Sequence, residues 1–270
     1  MKKTIFALLC ACLVGFGLVG CGQTTNGVHT QKRPDVDSDL LQFQQPAEGN
    51  PIAIFTTEYG QFRAVLYPDE APMAVENFIA LANEGYYNGL PFHRVIGDFI
   101  IQSGDATGSG NGGTTCWDGM PFPVEISSKL HHFSGALCMA HMGSDTSANF
   151  SQFYVVQTAP DSISDEDAQS LLDKGMDQAV ADAYKAGGGA PYLDYYNTIF
   201  GQVYEGMEVV DAIAIASDPD QDGKPRTEIT LTSVQISSYG SPDPSPLPAA
   251  DSAASDGAAG DSSAASAPAS

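Results

Sequence analysis

Hydrophobic and polar positions alternate over short stretches in the middle of this chain. Residues 52–57 and 61–67 are rich in β-branched and aromatic side chains, and they flank the turn Glu58-Tyr59-Gly60. Two such runs around a short glycine-containing turn are typical of a β-hairpin. Similar apolar runs, separated by glycine-containing loops, occur at 99–102, 135–140, 153–157, 198–203 and 229–236. So many short strands predict a mainly β fold with a closed or sandwich-like antiparallel sheet.

One segment near the start of this region has helical spacing instead. Between Pro72 and Gly85, apolar side chains fall on one face of a helix, at Val75, Phe78, Ile79 and Ala82. Proline is favoured at the start of a helix and glycine just after its end. The pattern therefore predicts an amphipathic helix that packs on the sheet.

A second segment, residues 162–186, interrupts the succession of strands. Ser164 precedes three acidic residues, 165–167, which is the arrangement expected of an N-cap and a first turn that complements the helix dipole. The segment ends at Gly187-Gly188-Gly189. We expect a helical insertion between two strands.

The first residues have the composition of an export signal. Lys2 and Lys3 precede an apolar run over 5–20 that is shorter than the ~20 residues of a membrane-spanning helix. The next residues, Leu18-Val19-Gly20-Cys21, resemble the bacterial lipobox. We therefore expect removal of residues 1–20, lipidation of Cys21 and an extracytoplasmic domain anchored to a bacterial membrane. The alternative is an ordinary secretory signal followed by a chance cysteine.

Two further segments have too few apolar residues to form a core. Residues 21–50 are rich in Gln, Thr, Asn and Asp, and we expect them to be a flexible linker behind the lipid anchor. Residues 240–270 are mostly Ala, Ser, Pro and Asp, with Leu247 as the single large aliphatic side chain. Such a segment is expected to be disordered. The folded domain should therefore span 51–239.

Charge and cysteine content limit the possible partners. The chain has 33 acidic and 11 basic residues, a net charge of −22, which argues against binding to nucleic acid or to an anionic membrane surface. We expect contact with the membrane through the lipid anchor only. Outside the signal and Cys21, the cysteines are Cys116 and Cys138. They could form one disulfide, but two unpaired thiols are the favoured interpretation.

Several separated blocks of residues occur in an order that resembles one family. They are Phe92-His93-Arg94-Val95-Ile96, Phe99, Gln102, Gly104-Asp105, Met139-Ala140, Ser151-Gln152-Phe153-Tyr154, Leu193-Asp194 and Phe200-Gly201-Gln202-Val203. These blocks, with seven residues between Arg94 and Gln102, are similar to those of the cyclophilins, which are peptidyl-prolyl cis/trans isomerases. The resemblance runs from about residue 52 to residue 236. It implies an eight-stranded antiparallel β-barrel capped by two helices, the second near 207–213, and an activity that needs no cofactor.

The resemblance also implies roles for individual residues. Arg94 matches the catalytic arginine, Gln102 the glutamine that orients it, and Phe99 a residue of the same catalytic group. The apolar lining of the proline pocket would comprise Phe99, Ile100, Tyr154 and Leu193. The residues preceding proline would contact Ala140, His141 and Gln152, and the other rim would be formed by Tyr192 and Asn197.

This chain departs from the best-known cyclophilins at three of these positions. Tyr192 stands in place of Trp, Asn197 in place of His, and Tyr154 in place of a common Phe. Tyr192 keeps an aromatic ring with a polar tip, so we expect activity to persist and affinity for ciclosporin-type inhibitors to fall. The stretch between Met139 and Gln152 is about two residues longer than usual.

The chemistry of prolyl isomerisation accounts for an arginine in such a site. Rotation about an X-Pro bond means losing amide resonance, a barrier of ~18–20 kcal/mol. A donor that bonds the prolyl nitrogen as it becomes pyramidal stabilises the transition state selectively. A guanidinium suits this role because it stays charged and offers several donors in one plane. The predicted substrates are proline-containing unfolded or loop segments of exported proteins.

The sequence is also compatible with other functions. The same groove could serve a catalytically weak binding module or chaperone for proline-containing segments. A lipoprotein receptor for a small solute fits the anchor but usually has two α/β lobes and a longer chain. We expect a monomer, since no coiled-coil heptads are present.

Two metal-like patterns are weak, and no metal site is predicted. Asp218-Pro219-Asp220-Gln221-Asp222-Gly223 resembles the start of an EF-hand loop, but Ile229 stands where the bidentate glutamate is required. His131 and His132 lack the spacing of a zinc site, and we interpret them as loop histidines. The glycine-rich residues 108–113 open no predicted helix and are interpreted as a flexible surface loop.

Overall fold

The computed structural model describes residues 23–25, 28–30, 35–142, 145–218, 220 and 223–245. The expected signal at 1–20, the lipidation site Cys21 and residues 246–270 of the expected tail lie outside these described residues. Within them, no helix combines the length and apolar character needed to cross a bilayer.

Most strands belong to one antiparallel sheet, as the sequence predicts. The described residues contain twelve strands: β1 Gln23–Thr25, β2 Val28–Thr30, β3 Pro51–Thr57, β4 Gly60–Leu66, β5 Leu90–Pro91, β6 Arg94–Ile96, β7 Ile100–Ser103, β8 Phe122–Pro123, β9 Ala136–Met142, β10 Asp145–Val156, β11 Ile199–Glu205 and β12 Thr230–Ser238. The first two form a separate hairpin. The other ten form a sheet in the order β5-β12-β3-β4-β11-β9-β10-β7-β6, with β8 beside β10.

The sheet curls so that its two ends approach each other. Its terminal strands β5 and β6 are consecutive in the chain and are separated by only Phe92 and His93. This confirms the curled antiparallel architecture. The sheet has ten strands rather than the expected eight, because pieces such as β5 and β8, of two residues each, also pair with it.

Four α-helices accompany the sheet in the described part of the chain: α1 Pro72–Asn83, α2 Asp165–Asp173, α3 Gln178–Gly187 and α4 Met207–Ala214. The two predicted capping helices are α1 and α4. The residue before α1, Ala71, has no side chain that could cap it. Glu125 supplies the missing acceptor, because its carboxylate accepts from the backbone N–H groups of Met73 and Ala74.

The predicted insertion consists of two helices. The Ser164 side chain accepts from the Asp167 backbone N–H, while the Asp167 carboxylate accepts from the Ser164 backbone N–H, which is a capping box at the start of α2. Gly175, with φ +91°, lies between α2 and α3. Such a left-handed conformation interrupts a right-handed helix and favours glycine. A single-turn 3₁₀ segment, Pro160–Ser162, precedes the insertion.

Three clusters of buried apolar side chains stabilise the domain. The largest lies around Phe55, Phe78 and Phe153, between the sheet and helices α1 and α4. A second contains Ile100, Ala140 and Tyr154. The third joins α3 to Phe133 and to apolar residues of the segment before β3. The third cluster shows that the insertion packs on the domain rather than projecting from it.

The segment 35–50 lies against the folded domain, although the sequence analysis places it in a linker. Leu40 and Phe43 pack against the third cluster, and the single-turn helix Leu41–Phe43 buries Gln42. After the last strand of the domain, Asp243 forms a salt bridge with Arg63 of β4. The predicted boundaries at residues 20, 50 and 240 stay predictions, but residues on both sides of 51–239 contact the domain.

Candidate active site

Strand pairing brings Arg94 and Gln102 together. They are Cα partners in the β6–β7 pair, and Tyr154 of β10 lies opposite Gln102 on its other side. Arg94 Nη1 donates to Gln102 Oε1 at 3.3 Å, and Gln102 Nε2 donates to Gln152 Oε1 at 2.9 Å. We call Arg94, Gln102 and Gln152 the Arg94 chain. The bond to Gln152 fixes the Gln102 amide so that its oxygen faces the guanidinium.

The Arg94 chain continues into the glycine-rich loop. Gln152 Nε2 donates to the carbonyl oxygens of Gly110 and Gly112, at 3.0 and 2.7 Å. Residues 108–113 form a loop at the surface, as expected, but the loop also holds a residue of the site. The sequence could not show this, because the contacts use backbone carbonyls that every residue has.

A buried carboxylate organises this loop. Asp105 accepts from the Thr107 hydroxyl and from the backbone N–H groups of Thr107, Gly110 and Gly112. Burial alone would raise the pKa of the Asp105 carboxyl, but these hydrogen bonds outweigh it and lower the pKa to about 2. A Cβ atom at Gly112 would clash with the Asp105 carboxylate. Glycine is therefore required where the loop turns around this side chain.

The predicted pocket residues do come together. Ile100, Ala140 and Tyr154 are buried in one cluster, with the partly exposed Phe99 and Leu193 packed against them. The Arg94 guanidinium carbon lies 5.8 Å from the centre of the Phe99 ring. The pocket is therefore an apolar surface with a cation at its edge.

The predicted rim is more exposed. Tyr192 is 66% exposed, and its ring stacks on Phe99 with centroids 6.1 Å apart. Asn197 donates from Nδ2 to the Met139 carbonyl at 3.3 Å. Both side chains therefore lie beside strands that line the pocket.

The β9–β10 hairpin accommodates the extra residues noted in the sequence. His141 pairs with Asn149, and Met139 pairs with Phe153, so β10 advances by four residues where β9 advances by two. His141, which is partly exposed, directly follows Ala140 on β9. Residues 143 and 144, within the same hairpin, lie outside the described part.

A buried polar cluster beneath the pocket was missed by the sequence analysis. Asp194 Oδ2 contacts His131 Nδ1 at 2.8 Å, and Asp194 Oδ1 contacts His132 Nδ1 at 2.9 Å. The Tyr184 hydroxyl also donates to Oδ1, at 2.8 Å, and His132 Nε2 contacts the Tyr154 hydroxyl at 3.0 Å. We call these five residues the Asp194 network. Its members come from three distant parts of the chain, which is why sequence spacing gave no sign of it.

The two histidines lie outside strands, as expected, and both are buried. Burial would raise the pKa of the Asp194 carboxyl, but hydrogen bonds from His131 and His132 lower it to about 2. A carboxylate bonded to Nδ1 favours the His132 tautomer with its proton on Nδ1. In that tautomer Nε2 accepts from the Tyr154 hydroxyl.

The remaining cysteines and acidic residues form no further site in the described ranges. Cys116 and Cys138 are both free thiols, and burial raises the pKa of Cys138 well above its ordinary value. No group of three or more His, Cys, Asp or Glu side chains in these ranges is arranged to hold a metal ion. Asp222, part of the EF-hand-like pattern, lies outside them.

Comparisons with known proteins identify relatives in sequence and in fold. Two similar proteins, from Staphylococcus saprophyticus and Staphylococcus haemolyticus, are named as peptidyl-prolyl cis-trans isomerases. They are 41% and 39% identical over 198 residues, which cover 72% of this chain and 96% of each relative. A solved Cryptosporidium parvum cyclophilin type isomerase, crystallised in the presence of the dipeptide Ala-Pro, is 29% identical with a TM-score of 0.54. That match covers 69% of this chain and 98% of the other.

The family match spans nearly the whole sheet and both capping helices. Residues 52–236 match the family described as cyclophilin type peptidyl-prolyl cis-trans isomerase/CLD. The same residues contain the Arg94 chain, the apolar pocket and the Asp194 network. This chain therefore belongs to the cyclophilin-type peptidyl-prolyl cis/trans isomerase family.

Proposed function

We propose that this protein accelerates rotation about X-Pro bonds in exported proteins, and that Arg94 stabilises the twisted prolyl amide. The observation that carries the proposal is the guanidinium held by Gln102 at the edge of an apolar pocket. In the described part of the chain, Gln102 is the hydrogen-bond acceptor of that guanidinium. Its other N–H groups are therefore available to a substrate.

The proposed mechanism moves no proton and forms no covalent bond. The proline ring would sit against Ile100, Tyr154 and Leu193, while the preceding carbonyl rotates. As amide resonance is lost, the prolyl nitrogen gains a lone pair, and an Arg94 N–H group would donate to it. This bond is stronger in the transition state than in the ground state, so it accelerates the step. No cofactor is required by this chemistry.

The residues around the pocket would bind the peptide on both sides of proline. Gln152, Ala140 and His141 would contact the residues that precede it. Tyr192 and Asn197 would contact the chain on the other rim. Phe99, between the guanidinium and Tyr192, would exclude water from the rotating bond. A drier environment strengthens the hydrogen bond that Arg94 donates.

We further propose that the domain works outside the cytoplasmic membrane, anchored through a lipid on Cys21. The support is the signal-like run before Cys21 and the resemblance of residues 18–21 to a lipobox. Substrates would be unfolded or loop segments of exported proteins, bound by a monomer. A Cys21→Ser change should release the protein from the membrane fraction and remove the lipid mass from the N-terminal peptide in mass spectrometry.

The activity is tested by exchange NMR on a tetrapeptide with a central Ala-Pro bond. We compare the full native chain with Arg94→Ala and with Arg63→Ala, a matched control that removes an arginine from β4. The native chain should accelerate exchange, and Arg94→Ala should lose about 10²–10³-fold of that acceleration, as for other single transition-state donors. Arg63→Ala should keep the native rate.

Other outcomes of the same experiment are decisive. If no protein accelerates exchange, yet the peptide shifts resonances of the native chain, the groove is a binding module and the isomerase proposal fails. If Arg94→Ala keeps the native rate, the assigned role of Arg94 is wrong. An Arg94→Lys variant keeps the charge without the planar donors, and it should fall between native and Arg94→Ala.

A further inference from the structure

The helical insertion reaches the active site through one side chain. Tyr184 lies on α3, its ring packs on Phe133 with centroids 4.5 Å apart, and its hydroxyl donates to Asp194. Asp194 directly follows the 3₁₀ turn Pro191–Leu193, which carries Tyr192 and Leu193 of the proposed groove. The insertion is therefore bonded to the residue that ends the groove-forming turn.

Asp194 also reaches the floor of the pocket. Its Oδ1 accepts from both the backbone N–H and Nδ1 of His132, and His132 Nε2 contacts the Tyr154 hydroxyl. The His132 and Tyr154 rings are nearly parallel, with an interplanar angle of 14°. One carboxylate thus connects the pocket floor, Tyr154, to the pocket wall, Leu193.

We propose that Asp194 is a positioning residue for the proline pocket, and that the helical insertion holds the substrate-binding turn 191–193 in place through the Tyr184 hydroxyl. The inference rests on the proposed function of the groove. The Asp194 carboxylate accepts from His131, His132 and Tyr184, so it faces these protein groups rather than a substrate. Its effect on binding must therefore pass through Tyr154 and through the turn 191–193.

The geometry predicts a specific kinetic signature. Tyr154 and Leu193 would contact the proline ring in the ground state and in the transition state alike. Loosening them removes uniform binding, which raises KM and the peptide Kd and leaves kcat nearly unchanged. A purely structural defect would instead reduce the fraction of folded protein, which lowers the apparent kcat at constant KM.

The test compares three buried hydroxyl or carboxyl changes in the full chain. Tyr184→Phe removes only the hydroxyl, and Asp194→Asn removes the charge with little change of shape. Tyr67→Phe is the matched control, because the buried Tyr67 hydroxyl bonds no atom of the described residues. Thermal melts first establish a temperature at which all variants are folded. Rates are then measured by exchange NMR on the Ala-Pro tetrapeptide, and Kd by chemical-shift titration.

We expect Tyr184→Phe to raise KM and Kd about threefold to tenfold, which corresponds to one net hydrogen bond. Asp194→Asn should raise them at least as much, and kcat should stay within about twofold for both. Tyr67→Phe should match the native protein. Because Asp194 acts through Tyr154, adding Asp194→Asn to Tyr154→Phe should have less effect on Kd than it has in the native background.

Unchanged KM and Kd in Tyr184→Phe and Asp194→Asn would overturn the inference and leave the proposed function intact. If Asp194→Asn fails to fold, the more conservative Tyr184→Phe still decides the matter. If the native chain shows no turnover, the proposed function fails, while the Kd values of the same variants still support or refute the positioning role.

Discussion

The Arg94 chain and the Asp194 network both border the apolar pocket, but they differ in whether their hydrogen-bonding groups remain available to a substrate. In the Arg94 chain, two neutral amides orient a partly exposed guanidinium that has one hydrogen-bond acceptor among the described residues. In the Asp194 network, a buried carboxylate accepts four hydrogen bonds, from His131, His132 and Tyr184. The first arrangement keeps donors open, whereas the second holds its carboxylate with three donors at Oδ1 and one at Oδ2.

This difference indicates how polar groups can be divided between chemistry and support. A buried charge is costly unless it is fully bonded, so the carboxylate requires its four donors to be present. A surface guanidinium stays solvated and can exchange water for a substrate. Changes to the Arg94 chain should therefore act mainly on turnover, and changes to the Asp194 network mainly on substrate binding and stability.

The largest effect is expected when the Arg94 chain is cut at its centre. Gln102→Leu keeps the approximate shape but removes both the acceptor for Arg94 and the donor to Gln152. Displacement of a catalytic group by about 1 Å can cost about 10²-fold, and we expect a loss of that order in kcat. The measurement is exchange NMR at saturating peptide. The matched control is Gln202→Leu on β11, which also removes a buried amide and should keep kcat within about twofold.

A Gln102→Leu variant with native kcat would show that Arg94 is oriented without the amide chain. It would also limit the effect of the Arg94 chain on turnover to Arg94 itself.

A smaller effect, on stability, is expected from acid. The folded pKa of Asp194 is about 2 against an ordinary value of 3.8, so its charged form stabilises the fold above about pH 4. That contribution is lost as the pH falls toward 2, and it amounts to about 2 kcal/mol. The difference in unfolding free energy between native protein and Asp194→Asn should shrink by this amount between pH 5 and pH 2. Denaturant titrations at several pH values measure it.

The same comparison contains its own control. Asp105, whose pKa is also lowered to about 2, is present in both proteins and cancels in the difference. If the difference in unfolding free energy stays constant with pH, the hydrogen bonds to Asp194 do not lower its pKa.

The Asp194 network extends to the segment before β3 through Gln42. Its side chain accepts from the His131 N–H at 2.6 Å and donates to the His131 carbonyl and to Gln202 Oε1, at 2.8 and 2.9 Å. Gln42→Ala leaves these buried groups without partners, and we expect a loss of about 1–2 kcal/mol in stability. Equilibrium unfolding measures it, with the exposed Gln44→Ala as the control. An unaffected stability would mean that the Gln42 hydrogen bonds contribute nothing to the fold.

The pairing of Arg94 with Gln102 was expected from the resemblance to the cyclophilins, and local strand geometry explains it, whereas the bond from Gln102 to Gln152 was not expected. Arg94 and Gln102 lie on adjacent antiparallel strands joined by a short loop, and their separation in the chain determines that they face each other. The apolar pocket was also predictable, since its residues fall in blocks that resemble a known family. The shortest strands of the sheet were not predictable, because two residues, as in β5 and β8, are too few to show a hydrophobic periodicity.

The Asp194 network could not be predicted for the opposite reason. His132 and Asp194 are 62 positions apart, and their contact depends on how two loops pack after the sheet has formed. Gln42 lies in a polar segment whose average composition is that of a linker, although Leu40 and Phe43 beside it are partly buried against the third cluster. Composition averaged over thirty residues conceals a short stretch that packs.

The smallest effect should come from the far end of the insertion, and it separates two ways in which that insertion could act. Ser164→Ala removes the N-cap of α2, which typically costs about 1 kcal/mol, and should increase amide hydrogen exchange in α2. If the insertion acts through the single bond from Tyr184 to Asp194, peptide Kd should stay native, because α3 keeps its packing on Phe133. Asp177→Ala, which removes the N-cap of α3 itself, is the matched comparison and should raise Kd slightly. A Kd raised equally by both changes would show that the whole insertion, rather than the Tyr184 bond, positions the groove.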